Sequence, residues 1–195
     1  MNHPTMDALG LVRQDHRRLE ALLGRCERTD QADPEERTAL LAQLDTALRH
    51  HVDQEEALLY PAFPLPDRDL LARGTEQHRR ITTLADELTT IPPDATAFQP
   101  TLHALAIQIR THLDTEDATL LTALEALVDD ATLLDLGRRL EDRKRVVAAQ
   151  EALKTTTSDL LRSPRRNLKV ALAATAALAA ITVAALTRRR RPKGP

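Results

Sequence analysis

Residues 51–60 read HVDQEEALLY, and residues 112–121 read HLDTEDATLL. Laid over one another at an offset of 61, they agree at five of ten positions: His, Asp, Glu, Ala and Leu. A second pair, HRRL at 16–19 and HRRI at 78–81, repeats at an offset of 62. The chain therefore carries one two-helix unit twice. Each unit has a His on its first helix and a His-x-x-x-Glu on its second. The intervals between the paired His are 35 and 34 residues. Two like hairpins packed together make a pseudo-two-fold bundle.

Apolar spacing and proline breaks extend this reading outward. Leu9, Val12, Leu19, Leu22 and Leu23 recur at helical intervals, predicting a first helix over about 5–27. Asp33, Pro34, Glu35 and Glu36 form a helix start, and Pro61, Pro64 and Pro66 end that helix near Tyr60. A third helix runs from about Asp67 to before Pro92 and Pro93, with Gly74 inside it as a candidate kink. The fourth spans about Pro100 to Val128. A charged fifth helix, opened by Asp129 or Asp130, covers about 131–153. Short connections make neighbours antiparallel. The expected fold is all-α: an up-down-up-down four-helix bundle over 5–153 with an extra C-terminal helix.

Composition agrees. Tyr60, Phe63 and Phe98 are the three aromatics, and Val and Ile together number 12, too few for a β-sandwich or barrel. Five Gly leave no room for a Gly-rich phosphate loop. The single Cys26 excludes an intramolecular disulfide and a Cys-based zinc site; it and Tyr60 are read as packing residues. Residues 1–160 carry 18 basic and 29 acidic side chains, so the body is a poor nucleic-acid binder. The N-terminal MNHPTMDALG has no signal pattern, which predicts a cytoplasmic body.

The doubled His-x-x-x-Glu carries the chemistry. Four residues on a helix rotate about 400° and rise about 6 Å. His51 and Glu55 therefore share a face, as do His112 and Glu116. Imidazole and carboxylate converging from one face suit a divalent first-row metal. With His16 and His78, the interior offers four His and two Glu. Two metals, each held by two His and sharing two carboxylates, satisfy that count and leave open positions. His3, His50 and His103 have no partner in the repeat and are read as structural or solvated. Asp53 and Asp114 repeat but point away, and receive no chemical role.

HVDQEEALLYP, with HRRL before it and HLDTEDATLL after it, resembles the hemerythrin-like, or HHE cation-binding, domain. The resemblance covers about residues 5–150. It implies a non-haem di-iron centre with ligands His16, His51, Glu55, His78, His112 and Glu116. Glu55 and Glu116 would bridge; His16 and His51 would hold one iron, His78 and His112 the other. Asp117 is an alternative to Glu116. Oxygen-carrying relatives have a further His one turn from His78, where this chain has Gly74 and Thr82. Glu20, one turn after His16, is an alternative oxygen donor. Fewer imidazoles favour sensing of oxygen, nitric oxide or iron, or oxidoreductase chemistry with peroxide or nitric oxide, over reversible oxygen carriage. The ligand set also accepts manganese or zinc, and a structural metal in a helical adaptor is the non-catalytic alternative.

Beyond a Thr/Ser-rich linker at 154–167, residues 170–186 read VALAATAALAAITVAAL, 17 residues without a charge. Basic residues flank them, from Arg162 to Lys169 and from Arg188 to Lys193. The expectation is a transmembrane helix over 168–187 and a basic tail at 188–195. A membrane-surface helix and an Ala-rich packed helix are the alternatives. Ala173 and Ala177, four apart, would permit a homodimer contact.

Overall fold

The computed structural model describes residues 6–29, 34–63 and 68–162. The elements are α1 (Ala8–Arg28), α2 (Pro34–Gln54), a π-helical turn (Glu55–Leu59), a 3₁₀ turn (Tyr60–Ala62), α3 (Arg68–Thr90), α4 (Phe98–Ala118), α5 (Leu120–Leu127) and α6 (Asp130–Arg162). Among the described residues there is no strand. Residues 1–143 form one unit, which holds the bundle, and a second unit begins at Lys144.

Helix α1 packs on α2 and α3 on α4, and the pairs α1–α4 and α2–α3 close the ring. Arg37, 2% exposed, marks one end of this ring. It donates to the Thr29 carbonyl at 3.1 Å and the Pro93 carbonyl at 2.8 Å, and lies 5.2 Å over the Phe98 ring. The ends of α1 and α3 and the starts of α2 and α4 thus meet at one residue, as antiparallel neighbours require.

Two apolar clusters fill the interior. The first joins Leu19, Leu23, Leu44, Leu48, Ile81, Leu105 and Ile109 near the Arg37 end. The second joins Leu9, Val12, Leu59, Tyr60, Phe63, Leu120 and Leu136 at the other. Between Val12 and Leu19 on α1 comes His16; between Leu48 and Leu59 come His51 and Glu55. The polar residues form a layer between two apolar plugs.

Helix starts follow ordinary capping. The Asp7 carboxylate accepts from Gly10 N–H at 2.7 Å, and that of Asp129 from Thr132 N–H at 2.8 Å. The expected start at Asp33 and the segment Pro64–Asp67 lie outside the described residues.

The second helix loses its α period at the residue that matters. Tyr60 N–H bonds the Glu55 carbonyl, five residues back. Pro61 follows, and its ring would clash with the carbonyl four residues earlier, so the backbone widens before it. The expected single fourth helix is also corrected: it breaks at Thr119, where φ is −118° and ψ −67°. The hydroxyls of Thr115 and Thr119 each donate to the carbonyl four residues back at 2.6 Å, a competition that bends helices.

Gly74 makes no break in α3. The expected linker at 154–167 is helical as far as Arg162, and residues 163–167 lie outside the described residues. Its Thr/Ser run contains no Gly or Pro before Pro164, so nothing in it stops a helix already running through Ala- and Leu-bearing turns. The expected membrane segment 168–187 and the basic tail 188–195 lie outside the described residues. Among the described residues no helix is long and apolar enough to cross a membrane.

Candidate metal centre

The layer between the two apolar clusters brings together all six residues expected to be ligands. His16 comes from α1, His51 from α2, Glu55 from the first position of the π turn, His78 from α3, and His112 and Glu116 from α4. Each is buried, at 1–5% exposure.

Their donor atoms fall into two groups sharing Glu55. His16, His51, Glu55 and Glu116 each bring one donor within 4.8 Å of the others, and so do Glu55, His78 and His112. His16 Nε2 lies 3.2 Å from Glu116, and His78 Nε2 lies 3.1 Å from Glu55. These two contacts are equivalent under the pseudo-two-fold: each carboxylate reaches the imidazole of the other hairpin. His51 Nε2 and His112 Nε2 face each other at 3.3 Å across that axis.

The outward nitrogens have their own partners. His78 Nδ1–H donates to Glu56 at 2.9 Å, and His16 Nδ1–H to Asp117 at 3.1 Å. His112 Nδ1 faces the Gln77 side-chain oxygen at 3.4 Å. An Nδ1–H held in this way leaves the Nε2 lone pair aimed inward, the tautomer a metal ligand needs.

Electrostatics mark the layer as incomplete by itself. Burial lowers His51 to about 4 and His112 to about 3, so both are neutral at pH 7. Burial also opposes charge on His16 and His78, but Glu116 beside the first and Glu55 beside the second outweigh it and raise them. Burial first, then the Glu55 charge, raises Glu116. Despite the short contacts, His16 Nε2, Glu55 Oε1 and both Glu116 oxygens lack a hydrogen-bond partner of proper geometry among the described residues. Buried carboxylates without donors are costly. A cation among nitrogen and oxygen lone pairs would satisfy all of them, so the donor set fits a metal.

A family profile described as the hemerythrin HHE cation binding domain matches residues 7–124. The chain belongs to the hemerythrin HHE cation-binding family. Its fold is similar to the crystal structure of an HHE cation binding domain-containing protein from Mycobacterium kansasii, with a TM-score of 0.69 and 23% identity. The alignment covers 77% of this chain and 93% of that one. Among curated proteins no sequence matches.

Within the HHE layer, Asp117 takes a place outside His16 rather than displacing Glu116. Glu20 is exposed and pairs with Arg110 at 3.0 Å, so it supplies no oxygen to the centre. Thr82 turns its hydroxyl to the His78 carbonyl at 2.9 Å. His103 is exposed on α4, and Cys26 is buried in the first apolar cluster. Asp53 holds Arg143 of α6 through two bonds of 2.6 and 2.7 Å, and Arg143 lowers its pKa.

Two residues of the site were not singled out by sequence. Glu56 and Gln77 hold outer nitrogens. The signal for Glu56 was present, since the acidic pair Glu55–Glu56 repeats as Glu116–Asp117. Tyr60 is buried as expected, but it also stacks on His78, with ring centroids 5.8 Å apart and planes within 9°. Its hydroxyl presses against Gly74, where a β-carbon would collide with it. A side chain at position 74 would therefore oblige the tyrosine hydroxyl to shift.

Proposed function

We propose that this protein holds two iron ions in the layer and uses them to bind or sense a small diatomic ligand, oxygen or nitric oxide. The observation that carries this reading is the pair of donor groups sharing Glu55, with buried carboxylate oxygens left unbonded. His16, His51 and Glu116 would hold one ion with Glu55, and His78 and His112 the other. Iron there supplies reversible one-electron changes and positions for an outside ligand.

The chain's own residues do the remaining work. Glu56 and Asp117 fix two imidazoles in the metal-binding tautomer. The apolar clusters exclude bulk water from either side of the layer. On the α3–α4 side two imidazoles gather with Glu55, and a Glu116 oxygen lies 3.5 Å from His112 Nε2.

Metal analysis of the full chain from iron-replete cells tests this. Two irons per chain, with a visible band that responds to oxygen or nitric oxide, are expected. Both should be lost in His51→Ala and His112→Ala. Stoichiometric zinc, or no metal, overturns the reading in favour of a structural site. Consumption of a reductant with peroxide or nitric oxide would instead mark an oxidoreductase.

We further infer from sequence that residues 168–187 tether the domain to a membrane, with the body on the cytoplasmic side. What supports this is the uncharged 17-residue run between basic flanks. Recovery in the membrane fraction, lost on removing residues 163–195, is the expected result.

A further inference from the structure

Resting on the dinuclear reading, we propose that a crevice between α3 and the α4–α5 segment admits small molecules to the centre, and that Arg73 makes it selective for small monoanions. Tyr60, Arg73, Gln77, His112, Thr115 and Glu116 contribute to its lining. Their burial is graded. Arg73 and Thr115 are exposed, Gln77 is half-buried, and Tyr60, His112 and Glu116 are buried. The lining thus runs from solvent to two of the metal donors.

The cavity volume is about 60 Å³. One water needs about 10–15 Å³ of such space, so the crevice suits molecules of two or three heavy atoms. Gly74 also lines it, and its missing side chain leaves the wall to the Tyr60 hydroxyl.

Charge distinguishes this route from its surroundings. Arg73 engages no carboxylate among the described residues. A lone guanidinium at the rim of a low-dielectric cleft raises the local concentration of anions. On the α1 side the half-exposed Asp117 stands outside His16 and repels them. Glu56 binds His78 but does not line the crevice. The buried end of the crevice is formed by His112 and Glu116, one donor from each group, so an incoming ligand arrives where the two groups meet.

The test uses the iron-loaded full chain, with azide as the anionic probe and nitric oxide as the neutral one, mixed in stopped flow at several ionic strengths. Arg73→Gln should slow azide association about three- to tenfold and flatten its salt dependence, with nitric oxide unchanged. Arg80→Gln, which removes a positive charge paired with Glu76 elsewhere on α3, should alter neither. Thr115→Phe, which plugs the rim, should slow both probes. Unchanged azide kinetics in Arg73→Gln, equal slowing of both probes in it, or unchanged rates in Thr115→Phe would each overturn the proposal. Iron is measured in every sample. A wild-type chain without stoichiometric iron overturns the dinuclear reading and this inference with it; normal iron with unaltered probe kinetics overturns the crevice alone.

Discussion

Glu56 and Asp117 occupy equivalent positions in the two halves of the layer. The first accepts from His78 Nδ1 at 2.9 Å and the second from His16 Nδ1 at 3.1 Å, each reaching across to the other hairpin. They lie outside the donor cluster, yet they set which nitrogen faces in. Glu56→Gln and Asp117→Asn should each weaken metal retention by about 10–100-fold while keeping the fold. Competition with a chelator, read beside circular dichroism, checks this. Equal retention in both variants would show that the imidazoles hold their tautomer without help.

The metal-free protein should be most stable near pH 6–7. His51 and His112 have depressed values, about 4 and about 3, against an unfolded value of about 6.5. Below pH 6.5 the unfolded chain takes up protons that the folded chain refuses, so stability falls as pH drops. His16 and His78 are raised, so their contribution is full below pH 6.5 and is lost as pH climbs through their folded values. Raised Glu116 acts in the same direction as these two above its unfolded value. Urea midpoints of chelator-treated protein from pH 4.5 to 8.5 should trace a dome; a monotonic curve contradicts it.

Gly74→Ala should destabilise the protein by about 1–3 kcal/mol, because the new methyl group meets the hydroxyl of Tyr60, whose ring is held by its stack on His78. Tyr60→Phe in the same chain should recover part of that loss. Thermal unfolding of the two single variants and the double variant forms the cycle, and simple additivity would show that the two positions are not in contact.

Arg37→Met should lower stability by about 1–3 kcal/mol without altering metal content. Its guanidinium is the partner of the Thr29 and Pro93 carbonyls, and it sits at the bundle end away from the second apolar cluster. Denaturant midpoint and metal analysis together decide the matter. A parallel loss of metal would mean that this end of the bundle governs the layer.

The repeat made the helix order and the six convergent residues legible, because duplication ties chemistry to position: His16 to His78, His51 to His112, Glu55 to Glu116. Backbone irregularity was not legible. Pro61 signalled an end to α2, but not that the preceding turn would widen to the π form. Thr119 carries no breaker residue, and its bend arises from hydroxyls competing for carbonyls. Likewise, the stacking of Tyr60 on His78 depends on where that widened turn aims the ring, which side-chain spacing alone does not specify.

Both carboxylates border an irregular stretch of helix: Glu55 opens the π turn, and Glu116 lies three residues before the bend at Thr119. This gives the two ligand helices a form of register insulation. In a regular helix, gaining or losing one residue turns everything beyond it by about 100°. Here the chain after each carboxylate has already left that strict phase, so a change of length past Leu59 or Thr119 leaves the aim of Glu55 and Glu116 upstream intact, and its cost falls on the Tyr60 stack and the second apolar cluster. Laboratory evolution of the crevice walls should therefore tolerate insertions just past Leu59 and Thr119 far better than insertions just before His51 and His112.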